Sequence, residues 1–201
     1  MANLFDYLRK RGNLSLKEAP LNDIDALILA RLSNLPFDGI VPENFANSIS
    51  ISQACHLLLQ SDEALKNVIM RADIRFAEAL RNCERFAKLT MCGYTNQLDT
   101  KAEKQFAALV IRIKPELPHV SFRGTDLTLT GWKEDFNMSF CTSIPAQEEA
   151  VRYLNQVALE LPGAFIVGGH SKGGNLAVYA SSFCQQAVQT RLVAMYNRDG
   201  P

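Results

Sequence analysis

The stretch that most constrains the chain is Ala164-Phe165-Ile166-Val167-Gly168-Gly169-His170-Ser171-Lys172-Gly173-Gly174-Asn175. It opens on an apolar run of strand length. Leu176, Ala177, Ala180, Phe183, Cys184 and Ala187 then follow at helical spacing. At the join stands G-x-S-x-G, as Gly169, His170, Ser171, Lys172 and Gly173. A strand-to-helix turn this sharp strains the backbone of its serine, and glycines two residues to either side let neighbouring chain approach without Cβ clashes. The Ser171 hydroxyl is then expected at the carboxyl edge of a sheet, where the free N–H groups of the following helix would meet a developing negative charge. Ser171 is therefore the candidate nucleophile, and the Lys172 backbone N–H the first candidate oxyanion donor. A glycine-rich turn can also bind phosphate, but neither G-x-x-x-x-G-K-[S/T] nor G-x-G-x-x-G is present.

The rest of the chain divides at about Lys88. From Leu4 to Ala87 the apolar spacing is helical, broken by Gly12, Pro20, Pro36, Gly39 and Pro42. Asn22 is a good N-cap with Asp23 and Asp25 in the first turn, and a second helical stretch is expected from Asp62 to about Ala87. Leu89 to Leu98, Phe106 to Ile113 and His119 to Phe122 read as strands, the first two able to pair as a hairpin. Beyond Gly124 strand and helix alternate: a short helix over Trp132 to Phe140, an amphipathic helix with Pro145 in its first turn, strands at Ala164 to Val167 and at Arg191 to Tyr196. This pattern predicts an α/β fold, a mostly parallel sheet flanked by helices, with residues 1–87 as a helical N-terminal region and 88–201 as the core of one compact domain.

Lys plus Arg and Asp plus Glu both number 21, so neither nucleic acid nor an anionic membrane surface is expected as a partner. The five cysteines are scattered, with no C-x-x-C pair and no histidine at ligand spacing. They read as reduced thiols in a cytoplasmic protein, with no metal and no cofactor implied. Asp6, Arg9 and Lys10 interrupt the start, and no stretch reaches the roughly 18 uncharged apolar residues of a membrane span, so no signal peptide or integral membrane segment is expected.

A second block lies upstream: Val120-Ser121-Phe122-Arg123-Gly124-Thr125-Asp126, followed by Trp132 and Asp135. A strand ending in Arg-Gly-Thr puts a small residue and a hydroxyl where a second oxyanion donor is needed; Gly-Thr-Asp is also ordinary turn chemistry. Phe122 to Thr125 with Trp132 and Asp135 resembles the F-R-G-[S/T] oxyanion loop and following helix of the class-three, fungal-type lipases of the α/β-hydrolase superfamily. Together with Gly169 to Gly174, the chain is similar to a bacterial lipase-like branch that carries a helical N-terminal region. The resemblance covers Leu89 to Pro201. It implies an α/β-hydrolase-type sheet, an acyl or lipid substrate of small-molecule size, and the Thr125 backbone N–H as the second oxyanion donor.

In that fold the chain order is Ser, then Asp or Glu, then His, yet no histidine follows Ser171. His170 should point away from its neighbour, His119 enters its strand at the far end from Gly124, and His56 lies in a helical stretch. The triad acid and base are therefore expected beyond residue 201, with the sheet incomplete, its last strand an edge, and a homo-oligomer a way to cover it. Asp199 follows a strand end where an acid could sit, although Asp-Gly-Pro is also a turn. The Lys172 side chain reads as solvated, and Trp132, Phe136 and Phe140 as packing residues or pocket lining. Two functions fit: an esterase or lipase working through Ser171, or a non-catalytic lipase-like binding module, to which the missing histidine lends support.

Overall fold

The computed structural model describes residues 3–201. First come α1 (Leu4–Arg11), α2 (Asp23–Leu32), the short strand β1 (Ile49–Ser50), α3 (Ile51–Gln60), α4 (Asp62–Lys66) and α5 (Arg71–Arg81). Then follow β2 (Thr90–Asp99), β3 (Lys104–Lys114), β4 (Leu117–Phe122), α6 (Leu129–Asn137), α7 (Pro145–Glu160), β5 (Phe165–His170), α8 (Lys172–Phe183), α9 (Gln186–Gln189) and β6 (Leu192–Arg198). The strands lie side by side in chain order in a six-stranded sheet, so β6 is an outer strand.

The fold is α/β, with helices on both faces of the sheet and a helical N-terminal region. β2 and β3 pair as a hairpin, as the sequence suggests. Parallel pairing, expected to dominate, is confined to β4–β5 and β5–β6, while β1 to β4 are antiparallel. From β2 onward the links explain the difference. Residues 100–103 and 115–116 are too short to do anything but reverse the chain, whereas the paths through α6–α7 and α8–α9 are long enough to carry it back to a parallel start.

Side-chain alternation along the strands divides the core into two layers. On β3, Phe106, Ala108 and Val110 face α7 and α8, together with Val120, Phe122, Phe165 and Val167. Leu109 and Ile111 face the opposite way, into the N-terminal helices with Ile28, Leu29, Leu32, Phe76 and Leu80. α2 starts with the capping box that Asn22 predicts: the Asn22 carboxamide oxygen accepts from the Ile24 and Asp25 amides, and the Asp25 carboxylate accepts from the Asn22 amide. The helix crosses β4 and β5, where the Ser121 hydroxyl donates to the Leu29 carbonyl at 3.1 Å. Arg85 and Asp25 form a fully buried ion pair, and the same guanidinium donates to the carbonyls of Leu14 and Ala19. One side chain thus closes the irregular segment between α1 and α2.

The helix expected from Asp62 to Ala87 is two helices. Ser61 caps α4, which ends at Asn67, and α5 begins only after Met70. Asparagine competes for backbone hydrogen bonds and favours helix ends, which is why apolar spacing alone carried the expectation too far. β5 also runs further than Val167, because Gly168 and Gly169 stay extended and paired with β4.

Candidate active site

Ser171 is the turn residue between β5 and α8, with φ 56° and ψ −131°. A left-handed φ is costly for a residue with a Cβ and persists only where the surroundings enforce it. Here they do. The Ser171 amide donates to the Arg198 carbonyl at the end of β6 (2.8 Å), and its own carbonyl accepts from the Gly174 amide (2.8 Å) in the first turn of α8. Gly169 has no room for a side chain, since a Cβ there would run into the carbonyl of Gly173, the other glycine of the pattern.

The second block emerges beside the first. Phe122, the last residue of β4, is paired with Gly169, so Arg123-Gly124-Thr125 leaves the sheet next to His170 and Ser171. A Cβ built on Gly124 would lie 2.8 Å from the His170 carbonyl oxygen and 3.6 Å from the Ser171 Cβ. Gly124 is therefore what lets the loop pass this close. Thr125 follows directly, its hydroxyl donating to Asp135 on α6. The loop that carries Gly124 and Thr125 and the head of α8 thus both lie next to Ser171.

The Lys172 side chain departs from the sequence expectation. It is not solvated but 1% exposed, and its Nζ donates to Glu134 Oε2 at 2.9 Å, to Gln105 Oε1 at 2.6 Å and to the Gln105 carbonyl at 2.9 Å. Glu134 and Gln105 carry no sequence signal for this role, because 38 and 67 residues separate them from Lys172. The aromatic residues depart in the other direction. Trp132, Phe136 and Phe140 do not pack inward; with Leu127 and Leu129 they form an exposed apolar band on and around α6.

The three histidines are placed differently. His56 sits on α3 beside Arg81. His119 is wholly buried on the side of the N-terminal helices, its ring against Gly168, and neither ring nitrogen finds a partner. Burial holds its pKa down to about 4. His170 ends β5 as the chain neighbour of Ser171. Asp199 is exposed in a turn with φ 54°, next to Gly200, whose amide donates to Asn197. Among the described residues no cluster of three or more acidic, histidine or cysteine side chains could hold a metal, and no helix is long and apolar enough to cross a membrane.

A family model described as Mbeg1-like matches residues 80–201, more than half of the chain. The chain belongs to the Mbeg1-like family. The match takes in β2 to β6 and both blocks around Ser171, and leaves most of the N-terminal helical layer of this Mbeg1-like chain outside it. No curated protein and no solved structure matches it.

Proposed function

We propose that this Mbeg1-like chain is the nucleophile-bearing part of a serine hydrolase of the lipase or esterase type. The observation that carries the reading is the left-handed backbone of Ser171 at the head of α8, with Gly124 lying against it. In this reading the Ser171 hydroxyl attacks a carboxylic ester or related acyl carbon, and the Thr125 and Lys172 backbone amides hold the oxyanion. Asp135 fixes the Thr125 hydroxyl and, with it, the loop that supplies the amide. The apolar band of Leu127, Leu129, Trp132, Phe136 and Phe140 favours a substrate with an apolar acyl part. Membership of the Mbeg1-like family, a lipase-like family, supports the same reading.

Serine at its free pKa requires a general base, and the reading carries that requirement with it. The buried, unpartnered state of His119 and the distant placement of His56 favour a second reading, a non-catalytic module that binds an acylated ligand through the same edge. Labelling with a fluorophosphonate, read by intact mass, separates the two. The hydrolase reading expects one slow adduct that Ser171→Ala abolishes, and hydrolysis of short activated esters no better than about a thousand- to ten-thousand-fold over water. Acyl-ligand binding with no adduct on Ser171 favours the module.

A further inference from the structure

Lys172 follows the candidate nucleophile directly, yet its side chain is spent on the interior. Its partner Glu134 is fully buried and uses both carboxylate oxygens. Oε2 accepts from Lys172 Nζ at 2.9 Å and from the Gln105 amide at 3.0 Å, and Oε1 accepts from the Ala146 amide at 2.8 Å. One carboxylate thus joins α6, β3, the first turn of α7 and, through Lys172, the first turn of α8. A buried ion pair is a poor way to gain stability, since an apolar pair of the same volume does as well or better. What it adds is direction: charged partners with all their hydrogen bonds made tolerate one arrangement. The neighbour of Glu134 on α6 is Asp135, which accepts from Thr125. Adjacent carboxylates on one helix therefore reach the two backbone segments that flank Ser171.

We propose that the Lys172–Glu134 pair is a positioning device for the oxyanion hole: the side chain of the residue after the nucleophile holds α6, and through it the Gly124–Thr125 loop, at the spacing where two amides address one substrate oxygen. The proposal rests on Ser171 being the nucleophile, but its mechanical part does not.

Trp132 separates the two. It is the single tryptophan of the chain, stands on α6 two residues before Glu134, and reports where that helix lies. Removing one charge strands the other in the interior and can unfold the chain, so the deciding variant is the double Lys172→Met/Glu134→Gln, which removes both. The expected result is a folded double variant with a melting temperature near that of the wild type, altered acrylamide quenching of Trp132, and a maximal rate of fluorophosphonate labelling at Ser171 lowered about tenfold or more. The probe concentration for half-maximal rate stays unchanged. A folded double variant with wild-type quenching and labelling overturns the proposal, and so does one that cannot fold, since the pair is then a requirement of the fold itself. If the wild type takes no label, the nucleophile reading fails, and quenching in the folded double variant still decides whether the pair holds α6.

Discussion

At the scale of single residues the site is a place where local preference loses. Ser171 holds φ 56° against its own Cβ, at a cost on the order of 1–3 kcal/mol. Ser171→Gly relieves that strain but adds freedom to the unfolded chain, about 0.5–1 kcal/mol in the other direction. Relief of strain outweighs the added freedom, so Ser171→Gly is expected to raise stability by about 1 kcal/mol in urea titrations, while Ser171→Ala, which keeps the Cβ, gives no such gain. His119 is the second case. Burial lowers its pKa from 6.5 to about 4, so the unfolded chain takes up the proton first. Stability from this residue is complete above about pH 6.5 and is lost as pH falls toward 4, on the order of 1 kcal/mol per pH unit within that window. Urea midpoints measured from pH 4 to 7 should show this slope, reduced in a His119→Leu variant.

At the scale of elements, what could be read in the sequence was what depends on neighbours in the chain. Asn22 announced α2, Pro145 the start of α7, and the short apolar run over Phe106 to Ile113 the hairpin strand β3. The capping box makes a prediction of its own: Asn22→Ala should lower stability by about 1 kcal/mol in the same titrations, since it strips two amides of their acceptor. The strand-turn-helix setting of Ser171 was legible for the same reason, as glycine spacing and apolar runs are local signals. What escaped was what depends on distant partners. Lys172 looked like a surface lysine because nothing near it in the chain is acidic; only the fold brings Glu134 to it. The break at Asn67 to Met70 escaped because apolar spacing continues straight across it.

At the scale of the molecule, the sheet is unevenly protected. β3 lies between two strands and is buried on both faces through Ile111, whereas β6 has one strand neighbour and alternates between half-buried and exposed residues. Amide hydrogen exchange should therefore be slowest along Phe106 to Ile111 and fastest, among the strands β2 to β6, in Leu192 to Arg198. The Ser171 amide, donating to Arg198 at that outer strand, should exchange with the faster group. The contact between α2 and the sheet carries a consequence in time rather than space. The Leu29 carbonyl takes its hydrogen bond from Ser121, 92 residues later, and β5, against which the same helix packs, comes later still. At about 5–20 residues per second, a ribosome needs on the order of ten seconds to deliver those strands after α2 has emerged. Throughout that interval Ile28, Leu29 and Leu32 have no sheet to cover them, so the first layer to be made is among the last to be finished, and the nascent chain must be kept from aggregating in between.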